Sequence, residues 1–264
     1  MAEFLSPRPA ATVLTLRDAP EGYEILMLRR NLNSDFVGGA YVFPGGAVDA
    51  ADAGTSGERL ALGLNDATAS TRLGLEGGGL AYYLACLREL FEEAGLLLAC
   101  NLEGTPVHLA DDVTLRRMAR SRREVNDGSL GFVAMMNREE LLLDCRGLEY
   151  LAHWITPVGP PRRFDTRFFV ALAPQGQVAT HDAGETVADQ WVRPKDALKA
   201  YRRGELDMIL PTVRNLEAIA EFSTSTQVLD YARSLANIPC IEPRIVTNNG
   251  VVSILMPGDE GYED

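Results

Sequence analysis

The stretch RELFEEAGLLL, residues 88–98, carries four charged residues in its first six positions and none in its last five. Three are carboxylates, Glu89, Glu92 and Glu93, at helical spacings of three and four, where like charges repel. On a wheel of residues 80–94 at ~100° per residue, Leu80, Leu84, Leu87, Phe91 and Ala94 share one stripe. The three glutamates gather on the other side. The preceding LAYYLACL extends this amphipathic pattern, and Gly95 suits the position just past a helix end. Arg88 is spaced to pair with Glu92, which leaves Glu89 and Glu93 without a partner on this helix. Two readings fit such a face. It is solvated and acidic, or it is an oxygen-rich set for a hard divalent cation such as Mg²⁺ or Mn²⁺.

Outward from this helix, the chain alternates between strand and helix patterns. AATVLTLRD and YEILMLRR flank the turn-rich APEGY and predict a hairpin. GGAYVFPGGAVDA predicts a short strand followed by a Pro-Gly-Gly loop. Residues 50–79, rich in Ala, Gly, Thr, Ser and Asp, predict an irregular excursion with a short helix around 56–63. Residues 111–126 and 129–143 predict two helices. LEYLAHWITP, RRFDTRFFVALAP and TVADQWVRP predict strands. PKDALKAYRRGE, LPTVRNLEAIAEF and TQVLDYARSLA predict helices, the first with Pro at its start. PRIVTNNGVVSILMP predicts a hairpin around Asn-Asn-Gly. The order points to α+β with a mixed sheet.

The 264 residues, 46% hydrophobic and 23% charged, suffice for a real core. A net charge of −12 argues against a nucleic-acid partner, which needs a basic footprint. It leaves room for a small anionic substrate, because a metal and a few arginines invert the field locally. Cys86, Cys100, Cys145 and Cys240 form no CxxC and read as free thiols in a reducing compartment. Only three histidines, His108, His153 and His181, are present, all isolated, which disfavours zinc. The N-terminus lacks the pattern of a signal peptide, and no apolar run approaches ~18 residues. A cytoplasmic protein without membrane contact is expected.

FPGGAVDAAD, ahead of the helix, together with RELFEEAGL resembles the Nudix box, G-x5-E-x7-R-E-U-x-E-E-x-G-U with U bulky and aliphatic. Gly46, Arg88, Glu89, Leu90, Glu92, Glu93, Gly95 and Leu96 fit. The family's first Glu falls on Asp52, a shorter acid. Between Asp52 and Arg88 lie 35 residues, 28 more than the pattern has. Loop closure grows only logarithmically with length, so such an insertion is tolerable. It resembles the branch that interrupts its box, including peroxisomal and bacterial coenzyme A diphosphatase-like members. EGGGLAYY lacks the Gly-Lys-Ser/Thr of a phosphate loop and reads as entry to the helix.

The resemblance implies a single Nudix domain over 1–264, its mixed sheet sandwiched between helices. Residues 52–80 would be a helical insertion and about 211–264 a C-terminal helical extension and tail. It implies metal-dependent hydrolysis of a nucleoside diphosphate linked to another group, with Glu89, Glu92 and Glu93 ligating Mg²⁺ or Mn²⁺. The Gly45 carbonyl would complete the shell and Arg88 would orient the carboxylates. Glu185, in HDAGETVADQW, is either the general base or an ordinary loop acid. Arg162, Arg163 and Arg167 surround Phe164 and Phe168; the arginines either bind phosphates bidentately or pair with surface acids. The aromatics either stack on a base or fill the core.

LMLRRNLNSDFVGGAYVFPGG resembles the signature before the box in coenzyme A-cleaving members. Arg30, Gly39, Phe43, Pro44, Gly45 and Gly46 fit, whereas Asp35 stands where that pattern has Arg and Asn31 where it has Ser or Ala. Coenzyme A or an acyl derivative is the leading substrate. ADP-ribose, NADH or another nucleotide diphosphate is the alternative, and a non-catalytic nucleotide sensor a further one. A homodimer is expected, since the helical regions 111–143 and 211–236 exceed the minimal fold.

Overall fold

Alternating apolar residues on both sides of a tight Pro-Glu turn make the first two strands, and the rest of the sheet is laid against them. The computed structural model describes residues 5–32, 37–109, 111–248 and 251–262; Asp35 lies outside the described residues. The chain runs β1 (Arg8–Ala19), β2 (Gly22–Arg30), β3 (Tyr41–Val42), β4 (Gly45–Ala47), α1 (Thr55–Leu60), β5 (Ala61–Leu62), α2 (Asp66–Leu73) and α3 (Gly79–Ala94). It continues through β6 (Ala99–Asn101), α4 (Asp112–Asn126), α5 (Phe132–Arg138), β7 (Leu141–Asp144), β8 (Glu149–Ile155), β9 (Phe164–Leu172) and β10 (Thr186–Val192). It ends with α6 (Pro194–Arg202), α7 (Leu210–Ile219), α8 (Ser225–Ser234), β11 (Cys240–Ile241), β12 (Arg244–Asn248) and β13 (Val251–Leu255).

The main sheet has the order β10-β2-β1-β9-β8-β11, with β3 added to β2 and β4 to β1. It is mixed: β1 pairs parallel with β9 from Arg8↔Phe164 to Leu16↔Leu172, and antiparallel with β2 and β4. β1 is buried on both faces, as a central strand must be. Ala11 and Val13 pack toward α3, while Leu14 and Leu16 pack toward α7 and α8. The expected sandwich of a mixed sheet between helices is what forms. Among the described residues, no helix is long and apolar enough to cross a membrane. The four cysteines are free.

Three local expectations are corrected. Gly45–Ala47 is a strand rather than a loop, pairing Gly45 with Thr12. A Cβ on Gly45 would lie 2.6 Å from the Ala11 carbonyl oxygen and 2.7 Å from Thr12 Cα, so only glycine lets this segment lie on β1. The predicted helix 129–143 stops at Arg138, and Leu141–Asp144 is a strand between β5 and β6. The apolar run Leu141–Leu143 is too short for periodicity to tell helix from buried strand.

The stretch 50–79 is the third, for it is ordered rather than irregular. It holds α1, β5 and α2, and then caps the helix that follows. Asp66 accepts hydrogen bonds from the Gly78 and Leu80 amides, each 3.0 Å, and Ser70 Oγ accepts one from Gly79, 2.9 Å. The amides at the start of α3 are thus satisfied within the chain, in line with reading EGGGLAYY as helix entry. α3 ends at Gly95, whose φ of +69° meets the expectation for that glycine.

The Leu80 amide, ahead of the other bonds, holds the Asp66 carboxyl below the usual carboxylate range. A depressed folded-state pKa contributes stability above the unfolded pKa and loses it as pH falls through the folded one. Asp66→Ala is therefore expected to lower stability by about 1 kcal/mol at pH 7. The loss should shrink at a pH low enough to protonate the wild-type carboxyl as well. Urea titrations at both pH values check this.

Candidate active site

α3 lies across β1 and β4, so its polar side meets the Gly-Gly strand instead of water. At its centre is Arg88, 7% exposed. Arg88 Nε donates to Asp52 Oδ1 at 2.9 Å and Nη2 to Asp52 Oδ2 at 3.0 Å. Nη2 also donates to the Ala47 carbonyl at 2.9 Å. Nη1 donates to Glu89 Oε1 at 2.8 Å and to Glu92 Oε2 at 3.1 Å. The shorter acid Asp52 thus reaches the arginine in a two-pronged pair despite the long insertion. Asp52 is itself held by the Asp49 amide, 2.8 Å.

Glu93 is buried and accepts a 2.9 Å bond from the Gly45 amide. Glu89 lies against Gly46: a Cβ there would sit 2.5 Å from Glu89 Oε1. Glycine at this position leaves the carboxylate its space. Burial, only partly offset by Arg88 and reinforced by Glu92, pushes the Glu89 carboxyl up to about 7. Burial and then the neighbouring Glu89 hold Glu93 well above the carboxylate range, against the pull of the Gly45 amide and Arg30. Glu92 is raised as well, chiefly by burial. Burial works against the charge on Arg88, but Asp52, Glu89 and Glu92 outweigh it and stabilise the cation.

Arg88, Glu89, Glu92 and Glu93, with Gly45 and Gly46, line a cavity of about 770 Å³ that also takes in Arg30, Arg162, Asp182 and Glu185. Asp182 accepts hydrogen bonds from the amides of Gly184, Glu185 and Thr186 at 3.2, 2.9 and 2.8 Å. The Asn31 amide donates to the Glu185 carbonyl at 2.8 Å, which ties the loop to the end of β2. Glu185 on this loop lines the cavity, and its charge adds to the upward push on Glu89 and Glu93.

Of the three arginines of RRFDTRFF, one lines the cavity and two do not. Arg162 lines the cavity. Arg163 is taken up by the Thr156 carbonyl, the Leu5 carbonyl and Glu242, at 3.0, 2.9 and 2.5 Å. Arg167 contacts His153 and Asp165 and lies 5.3 Å over the Tyr82 ring. Phe164 and Phe168 both line the cavity, and Phe168 also belongs to the core beneath it.

Two supports were not anticipated from the sequence. Asp182 could have been read from DAGET, where an aspartate two to four residues ahead of free amides signals a side-chain turn. The grip of α4 on α3 had no such signal: Arg122 Nε and Asn126 Nδ2 donate to the Glu92 carbonyl at 3.0 and 3.1 Å.

The donor set suits a hard divalent cation. It offers carboxylate oxygens in surplus over nearby positive charge and backbone brought close by two glycines. In this conformation Glu92 turns to Arg88 and Glu93 to Gly45. Among the described residues, no three acidic, histidine or cysteine side chains converge into a ready ligand group.

A mixed sheet between helices, with an arginine-clamped glutamate helix against a Gly-Gly strand, defines a Nudix hydrolase. Residues 75–219 match the family model described as the NUDT19 Nudix domain, and the chain belongs to that family. It is 28% identical to the acyl-coenzyme A diphosphatase NUDT19 of Gallus gallus, over 97% of this chain and 80% of that protein. Its identity to the Homo sapiens protein of the same name is 28%, over 97% and 76%. The crystal structure of a Nudix hydrolase from Alicyclobacillus acidocaldarius superposes with a TM-score of 0.72 at 26% identity, covering 85% of this chain and 96% of that one.

Removing one partner of a buried ion pair leaves the other uncompensated. Asp52→Ala is expected to cost about 3 kcal/mol of stability. Asp49→Ala, whose carboxylate is exposed and 3.8 Å from Arg88, should cost less than about 1 kcal/mol. Chemical denaturation of the two variants side by side makes the comparison.

Proposed function

We propose that this chain is a metal-dependent diphosphatase that cleaves the diphosphate bond of coenzyme A or its acyl derivatives. The observation that carries the reading is the pairing, in one cavity, of buried carboxylates short of positive charge with arginines suited to phosphate. The names of the full-length relatives point to the same substrate class.

In this reading Glu89, Glu92 and Glu93 hold Mg²⁺ or Mn²⁺ with the Gly45 carbonyl. The metal, when bound, supplies charge neutralisation at the diphosphate oxygens and a more acidic water. Arg88 keeps Glu89 and Glu92 oriented and remains charged throughout. In this reading Glu185 accepts the proton of the attacking water, or else serves as a further ligand. Arg30 and Arg162, which line the cavity, neutralise and orient the phosphates; Arg163 and Arg167, which do not line it, have no part in it. The reading includes a homodimer in the cytoplasm, and sedimentation showing a monomer at micromolar concentration would remove the dimer.

The decisive assay incubates the protein with Mg²⁺ or Mn²⁺ and a panel of coenzyme A, octanoyl-coenzyme A, ADP-ribose and NADH, with products identified by mass. Phosphopantetheine or its acyl form, with an adenosine bisphosphate, is the expected pair. Cleavage of ADP-ribose alone would keep the chemistry and discard the substrate. Glu93→Gln and Glu185→Gln should each lower kcat by at least about a hundredfold, as loss of a ligand or a general base does.

A second check reads stability. Because Glu89 and Glu93 are buried like charges, Glu89→Gln should melt above wild type in EDTA, by roughly 2–4 °C per kcal/mol of relieved repulsion. Added Mn²⁺ should raise the wild-type melting temperature and leave that of Glu89→Gln nearly still.

A further inference from the structure

The cavity is not uniform, and the sheet register fixes its length. Ala47 on β4 pairs with Ala10 on β1, Ala10 with Thr166 on β9, and Thr166 with Trp154 on β8. All four line the cavity. They form one row across four strands, and neighbouring strands lie about 4.8 Å apart, so the row spans roughly 14 Å. Its first three members are small and leave a trough above the sheet.

The two ends of this row differ in chemistry. At the Ala47 end stands Arg88, bonded to the Ala47 carbonyl, with the glutamates around it. Beyond Trp154 the lining includes Pro157, Pro160, Pro243 and Ile254, beside Thr156 and Arg162. Pro243 and Ile254 belong to the C-terminal segment. There β12 and β13 form a two-stranded ribbon outside both larger sheets. Ile245 and Ile254 are a cross-strand pair on one face of it, 41% and 51% exposed. Val252, two residues along the same face, is 65% exposed. Large aliphatic side chains thus stand open where the cavity ends.

We propose that this far end, Trp154 with Pro243 and Ile254 of the ribbon, is a subsite for the hydrocarbon of an acylated substrate. The ribbon then sets a preference for acyl-coenzyme A over free coenzyme A. This rests on the proposed function, which puts the diphosphate at the carboxylates. The reach agrees. The pantetheine arm between diphosphate and thioester is comparable to about four extended residues, or roughly 14 Å. It brings the acyl group to the Trp154 end as its amides pass over the trough. An aliphatic chain gains there by leaving water, whereas a free thiol gains little.

The test compares kcat/KM for octanoyl-coenzyme A and coenzyme A in wild type, Ile254→Asp and Ser253→Asp. Ser253 lies on the opposite face of the ribbon and serves as the charge control. Calorimetric binding of both compounds in EDTA runs in parallel. Wild type should favour the octanoyl compound. Ile254→Asp should lower the octanoyl-to-free ratio roughly tenfold in turnover and in binding, and Ser253→Asp should leave it in place. A wild type without preference, or an equal loss on both compounds in Ile254→Asp, overturns the subsite. If no compound is hydrolysed, the diphosphatase reading falls, and the binding ratio alone still decides the subsite.

Discussion

The Arg88 guanidinium is the joint at which three distant parts of the chain meet. It is bound at once to Asp52, at the start of the insertion, to the Ala47 carbonyl on β4, and to Glu89 and Glu92 on its own helix. Taking a cation out of water is costly, and the cost is offset only when its donors find well-placed acceptors. Here every nitrogen does. A lysine would not substitute, because a point charge on a flexible stem cannot make a two-pronged pair with Asp52 while reaching three other acceptors. The same arginine lets Glu89 and Glu92 stand together on a buried face that would otherwise repel itself apart.

The insertion is compatible with this joint because it is a folded loop whose ends return to one place. Asp52 closes it on Arg88 from one side, and Asp66 and Ser70 close it on the start of α3 from the other. Closing a longer loop adds little entropy cost when its interior folds and makes contacts of its own. α2 does so: Ala69 and Leu73 pack in the same core as Leu80 and Leu84 of α3. The extra residues therefore brace α3 without lining the cavity at its carboxylate face.

What the sequence disclosed follows from how locally each feature is encoded. α3, its end at Gly95 and its acidic face are written in one continuous stretch, and they read correctly. The Gly-Gly strand could not be read, because glycine has little strand preference of its own and the segment becomes a strand through its fit against Ala11 and Thr12. Of the two readings of Arg162, Arg163 and Arg167, Arg163 and Arg167 take the pairing with acids, for a reason the sequence did contain. Successive residues of a strand face opposite ways. Phe164, Thr166 and Phe168 face the cavity, so Asp165 and Arg167 must face the other side, and Arg163 shares their parity. Tertiary braces such as Arg122 and Asn126 on the Glu92 carbonyl join residues some thirty positions apart and leave no local mark.

The charge balance of the cavity bears on how a polyanion enters it. Among the described residues, its lining holds six carboxylates against four arginines. One of those arginines, Arg88, is already spent on Asp52, Glu89 and Glu92. The whole chain carries −12, so the long-range field opposes an anionic ligand as well. A diphosphate brought next to Glu89 and Glu93 without added positive charge would meet repulsion in a partly dry space, where Coulomb terms are larger than in water. The carboxylate surplus thus makes the site poor at holding the anion alone and well suited to holding it together with a cation. That coupling gives a physical reason for a site to hold carboxylates whose own burial is unfavourable.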